Sequence, residues 1–251
     1  MTDSSTVLDQ ARRSLAIAKK DLRIYYAKGP VVIFGLLMPT FLFLAFSIGR
    51  QMAVNSLVPG LLGMAVFFTS TAVSPVVAPW ETQARTLERL ASCPVAVWTI
   101  LLGDMLASAV FGVVISSVPI LVGLVAGASL HHPLFLGAAI VLAAFCFSSL
   151  ALIFSFPATS SPATIMTLSS VVKFPLVFVS GVFVPVGQLP AWAKLIASFS
   201  PLTYFTEAAR YCMGGTSYYP LSMSFSFLSM FTILFWLAAV SLHKRTLPKR
   251  L

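Results

Sequence analysis

The sequence predicts an all-α integral membrane protein. Six transmembrane helices are preceded by an N-terminal interfacial amphipathic helix and carry an outer re-entrant helical hairpin. Three observations lead there. Of 251 residues, 58% are hydrophobic and 9% charged, far from the quarter or so of charged residues usual in soluble domains. No charged side chain occurs between Gln51 and Pro79, or between Asp104 and Lys173, and a membrane-crossing helix needs only about 20 residues. The net charge of +9 gathers at the two ends of the chain, without aromatic interleaving on a folded surface, so it speaks for membrane orientation and against nucleic acid.

Within residues 7–28, Leu8, Ala11, Leu15, Ala18, Leu22 and Tyr25 recur at three- and four-residue steps, opposite Arg12, Arg13, Lys19, Lys20 and Arg23. This is one apolar stripe on a basic helix, expected to lie among the membrane lipids with its cations at the headgroups. The charge-free runs then predict spans at 31–49, 57–79, 104–128, 134–155, 163–184 and 221–242. Pro39, Pro59 and Pro75 are expected to leave the first two spans continuous, since membrane helices tolerate proline when neighbours satisfy the freed carbonyls. His131, His132 and Pro133 make the tight turn between the third and fourth spans, and Phe156 to Pro162 divides the fourth from the fifth.

A charged island, Trp80 to Pro94, stands between the second and third spans, within a loop at 80–98. Glu81 and Arg85 are four apart, and Arg85 and Glu88 three apart, a spacing that predicts one short helix with salt-bridged flanks. Trp80, Leu87, Leu90 and Ala91 share its less polar side. Such a helix is too short to fold alone. Residues 185–215 are too polar for a span and too apolar for an ordinary loop. Pro190 opens one short helix there, and Ser200 with Pro201 opens a second that closes at Gly214 and Gly215. Trp192, Phe199, Tyr204, Phe205 and Tyr211 suit the membrane interface, and Glu207 and Arg210 are placed to neutralise each other.

Twelve Lys and Arg residues fall on the side of the two termini and the island, against Arg50, Lys194 and Arg210 on the other. The excess places both termini and the island in the cytoplasm, with Cys93 inside and Cys212 outside, out of reach of each other. Lys173 lies mid-span, where a lysine costs about 2.5 to 3.5 kcal/mol on insertion scales, so it is expected to face protein or water. With Thr69 and Thr167 it is a candidate for lining a path. No GxxxxGK[ST], HExxH or GxSxG occurs, and Cys93, Cys146 and Cys212 follow no metal spacing. Catalytic and metal-ligating residues are therefore not expected, and the chain is not read as an enzyme.

Two stretches together resemble the permease subunits of type-2 ATP-binding cassette (ABC) transporters. The island carries Glu81, then Arg85, Thr86, Leu87, Glu88, Leu90 and Cys93, Pro94, Val95, with Arg85 standing where the family usually has glycine. Ser180 to Arg210 carries Gly181 and Pro185, then Leu189, Pro190 and Trp192, then Pro201, Leu202, Thr203 and Tyr204, then Glu207 with Arg210. The resemblance implies a single transmembrane permease domain over 1–251, multi-pass in the plasma membrane of a prokaryote and in contact with its lipids. It also implies pairing with a second permease copy, a homodimer ahead of a heterodimer, and with two cytoplasmic ABC ATPase subunits. No cofactor would be bound directly; ATP and Mg would sit on the ATPase.

Carried onto this chain, the resemblance implies ATPase coupling through Trp80, Glu81, Arg85, Thr86, Leu87, Glu88 and Arg89. It implies an outer gate built from Pro185, Pro190, Trp192, Pro201, Tyr204, Glu207 and Arg210, and export of a hydrophobic drug-like molecule or lipid. Two other function classes compete. A nucleotide-independent secondary transporter or channel would show inverted repeats, and no convincing repeat is present. The other is a membrane scaffold that recruits a cytoplasmic partner.

Overall fold

The computed structural model describes residues 7–26, 37, 40, 41, 44, 45, 54–93 and 95–246. Apart from those five scattered positions the predicted span 31–49 lies outside the described residues, as do Pro94 of the island and the tail beyond Thr246. The described chain is helical, with no strand among its residues. Helix α1 spans Val7–Asp21 and runs into a wider turn at Leu22–Tyr26. It is followed by α2 Val54–Ser70, α3 Ser74–Gln83, α4 Thr86–Ser92, α5 Val97–Val125, α6 Pro133–Phe154 and α7 Pro162–Val179, then by α8 Ala191–Ser198, α9 Pro201–Cys212 and α10 Leu221–Thr246. Among the described residues, five helical stretches are long and apolar enough to cross a membrane: Leu57–Gln83, Val97–Val125, Pro133–Phe154, Pro162–Val179 and Leu221–Thr246. They correspond to the second to sixth predicted spans.

Several boundaries move. The third span begins at Val97 rather than 104, because Asp104 is not at the water surface: it is 7% exposed and faces neighbouring helices. The sixth runs past 242 to Thr246, because His243 is buried and hydrogen-bonded into the helix, Nδ1 lying 2.9 Å from the Ala239 carbonyl. The fifth stops at Val179, ahead of Gly181 with φ of 76°. The second span is not continuous, contrary to expectation. It breaks at residues 71–73, and a new helix, α3, starts with Pro75 in its first turn, where a proline's fixed φ and missing N–H are harmless.

The core lies between α2, α6, α9 and α10. Phe67 of α2 packs edge-on against Phe147 of α6 at 5.1 Å, and Phe147 against Phe205 of α9 at 6.1 Å. Tyr204 of α9 stacks on Phe227 of α10 at 4.6 Å. Edge-on and stacked aromatic pairs of this kind add about 0.5 to 1.5 kcal/mol beyond their area. Helix α9 is buried from Pro201 to Arg210, packed among spans rather than laid over them. Helix α7 is buried along one stripe, Ile165, Ser169, Lys173 and Val177, each four residues from the next.

The two ends of the bundle are distinct. At one, α1, the end of α3, the start of α5, the end of α6 and the end of α10 converge, with Ser155 Oγ 3.4 Å from His243 Nε2. At the other, the turn between α5 and α6 meets the end of α9: the His131 and His132 amides both donate to the Cys212 carbonyl, at 2.9 and 3.1 Å. The island thus shares an end with α1 and the end of α10, and the 185–215 segment sits at the opposite one.

Candidate functional site

Helix α1 packs along α5, and its buried face differs from the expected stripe. Ala18 is buried, but Leu8 and Leu15 are 63% and 60% exposed, and the inward face is Gln10, Ser14, Ile17, Ala18 and Asp21. Close approach requires Gly103 on α5: a Cβ there would lie 2.6 Å from Ile17 Cγ2 and 2.9 Å from the Ser14 carbonyl. The contact is fixed by polar bonds, Thr99 Oγ1 donating to Gln10 Oε1 at 2.6 Å. The outward face alternates Leu8, Arg12, Leu15 and Lys19. An exposed face that mixes leucine with cations fits a lipid interface.

At the end of α1, Lys20 binds Glu81 of α3 and lies 3.0 Å from Asp21. One turn on, Tyr25 stacks on Trp80 at 5.5 Å, and Tyr26 is buried against Phe111. These contacts clamp α3 to α1. A cleft runs behind the clamp, its walls including Lys20, Asp21, Glu81, Asp104, Ser155 and His243. Three carboxylates and one ammonium share it. Burial pushes the Asp21 carboxyl up to about 6 against the pull of Lys20. Burial also lowers Lys20, but Asp21 and Glu81 outweigh it, and its net shift is upward.

The island is two helices rather than one. Helix α3 continues through Trp80 and Glu81, the chain turns at Arg85, and α4 follows. Arg85 has φ of 53°, the one non-glycine with positive φ among the described residues, so the position usually held by glycine in the resembled family is left-handed here and favours glycine for steric reasons. The expected pairing of Glu81 with Arg85 does not occur, because Glu81 is buried and bound to Lys20. Trp80, Glu81 and Leu87 face the body, whereas Arg85, Thr86, Glu88 and Arg89 are exposed. The seven candidates therefore divide into an anchor and a free surface, with exposed Cys93 at its edge.

At the other end, the expected Glu207–Arg210 pair is present, both residues nearly fully buried. Glu207 also accepts the Tyr218 amide, and Arg210 donates to the Gly181 carbonyl at 3.1 Å. Burial lowers the Arg210 guanidinium from its ordinary value, Glu207 opposing the shift. Both groups wall a cavity shared with Pro185, Gln188 and Tyr218. Helices α8 and α9 begin where Pro190 and Pro201 predict, although Ser200 makes no side-chain cap bond. Tyr204 instead closes the joint, its hydroxyl donating to the Ser198 carbonyl at 2.9 Å. Trp192 and Phe199 of this segment are exposed.

Of the three path candidates, Thr167 is exposed, while Thr69 and Lys173 are buried and turned to backbone carbonyls, Ala65 at 2.5 Å and Thr71 at 2.6 Å. No three His, Cys, Asp or Glu residues stand close enough to hold a metal ion among the described residues. The residues missed from sequence are Gln10, Asp21, Asp104 and His243. Their signal was slight: polar positions beside Gly103 or at a helix end, with partners far away in sequence.

A family model described as ABC-2 type transporter matches residues 11–214, from α1 through α9. No curated protein matches the chain.

Proposed function

The chain belongs to the ABC-2 type transporter family, and from that premise we propose that it is the permease of an ATP-driven exporter of hydrophobic drug-like molecules or lipids. Membership makes it a multi-pass membrane component of an ABC transporter rather than the catalytic ATPase, and implies an ABC ATPase as partner. In this reading two permease copies meet in the membrane with both termini in the cytoplasm, and the ATPase subunits carry ATP and Mg.

The observation that carries the reading is the clamp of Lys20, Glu81, Tyr25 and Trp80, which ties the island to α1 and leaves Arg85, Thr86, Glu88 and Arg89 free. A push on the free surface reaches α3 and α1 together. At the opposite end, α8 and α9 close the path as a re-entrant gate, held by the buried Glu207–Arg210 pair. Cys93 is exposed while Cys146 and Cys212 are buried, so a thiol-specific crosslinker on the full complex provides the test. A permease–ATPase adduct lost in Cys93→Ser, together with ATP-dependent uptake of a hydrophobic dye into inverted vesicles, is the expected result. Dye movement without ATP, or assembly without an ATPase, would overturn it.

A further inference from the structure

The break in the second span has an identifiable cause and an unusual repair. Pro75 has no N–H, so the Thr71 carbonyl four residues earlier lacks its helical donor, and inside a membrane such a carbonyl has to be met from elsewhere. The donor comes from another helix: Lys173 Nζ of α7 reaches the Thr71 oxygen at 2.6 Å. Lys173 is 8% exposed, and no carboxylate among the described residues pairs with it. A hydroxyl would meet one carbonyl at much lower desolvation cost than an ammonium. Hydroxyls are at hand, since Ser70 beside the break and Ser169 one turn before Lys173 are buried without a hydrogen bond.

The position of the break gives the lysine its significance. Helix α3 is a ten-residue rod, roughly 15 Å long, tied at both ends by a lysine from a different helix. Lys20 of α1 holds it at Glu81, and Lys173 of α7 holds the chain at Thr71 where the rod is hinged. Helix α7 is fully buried only along its Lys173 stripe, with Phe174 against Phe68 and Leu176 half-buried beside it, and leaves Thr167, Val171, Pro175 and Phe178 exposed. A tilt of α3 therefore has a direct route, through Lys173, to a helix most of whose surface is exposed.

Resting on the permease reading above, we infer that Lys173 is a positioning residue of transport: it is the joint that passes movement of α3 to α7. It is not a wall of the path.

The experiment uses the full permease with its ATPase in lipid vesicles, and Pro75→Ala is the key variant because it returns an N–H to the Thr71 carbonyl. Lys173→Met is expected to lower both thermal stability and ATP-driven transport, the latter about tenfold, within the range of ordinary coupling energies. The double variant Lys173→Met with Pro75→Ala is expected to regain stability, because α2 and α3 then satisfy their own carbonyl, while transport stays about tenfold down and ATPase binding is intact. Lys173→Arg keeps the donor and is expected to transport nearly normally. Recovery of both stability and transport in the double variant would make Lys173 a cap and nothing more. A double variant as unstable as Lys173→Met, or unchanged transport in Lys173→Met, would equally overturn the joint. Absence of ATP-driven transport or ATPase association in the unmodified protein is a separate result and counts against the permease reading itself.

Discussion

The Lys20 ammonium and the Glu81 carboxylate pair across 61 positions of sequence, joining the end of α1 to the end of α3. Glu81 is 4% exposed, so its charge has left water and depends on this partner. Removing one member of a fully buried pair costs 3 to 5 kcal/mol; Lys20 is a third exposed, which reduces the expectation to about 1 to 3 kcal/mol for Glu81→Gln. Thermal unfolding in detergent measures it. Glu88→Ala, on the exposed side of α4, is the control and is expected to change stability by less than about 0.5 kcal/mol.

Asp21 gives this junction a pH dependence. Its carboxyl is raised from 3.8 to about 6 by burial. A group whose pKa is higher folded than unfolded stabilises the fold while protonated, so the contribution is complete below 3.8 and lost as pH rises through about 6. Lys20 is shifted upward from 10.5, so its own contribution changes only in strong alkali. Lowering the pH from about 7.5 to about 5 is expected to raise the melting temperature of the protein relative to that of Asp21→Asn, by the equivalent of about 1 to 1.5 kcal/mol. Parallel pH profiles for the two proteins would overturn this.

How much of this was legible in the sequence depended on whether a charge was used locally. The second to sixth spans were legible as charge-free runs, and the boundaries failed at Asp104 and His243, polar groups that the fold buries instead of wetting. Glu207 and Arg210 were legible because they are three apart on one helix and bind each other. Glu81 and Arg85 have equally suggestive spacing, yet Glu81 binds a lysine from α1 and Arg85 becomes the bend. A partner on another helix leaves no periodic trace. The stripe on α1 misled for a related reason: a face packed through Gln10, Ser14 and Asp21 against Gly103 and Thr99 is chosen by fit and hydrogen bonding, which hydrophobic periodicity does not record.

The pair within α9 offers a stricter test of buried charge than the α1–α3 clamp. Glu207 and Arg210 are 1% and 3% exposed, and between them they hold the Tyr218 amide and the Gly181 carbonyl. Glu207→Gln preserves the shape and an acceptor for Tyr218 but leaves Arg210 without a counter-charge. A loss of about 3 to 5 kcal/mol is expected, larger than for Glu81→Gln in the same detergent assay. Replacing both residues by apolar ones of similar size is expected to recover most of it, since the cost lies in the unpaired charge.

Arg85 is the position where a substitution is expected to help. Its φ of 53° sets a side-chain-bearing residue in the left-handed region, which costs about 1 to 2 kcal/mol and costs glycine almost nothing. Glycine also gives the unfolded chain more freedom, which returns some of that advantage. The balance for Arg85→Gly is a gain of up to about 1 kcal/mol in thermal stability. Arg85→Val is expected to lose more than that, because a β-branched residue is least tolerant of positive φ. Arg85 is exposed and makes the bend between the anchored α3 and the free surface of α4, so the same variant separates the backbone's role from the side chain's. Arg85→Gly that melts higher yet forms less Cys93 crosslink to the ATPase would assign the guanidinium to the partner surface. A higher melting temperature with undiminished crosslinking would make Arg85 a strained bend only.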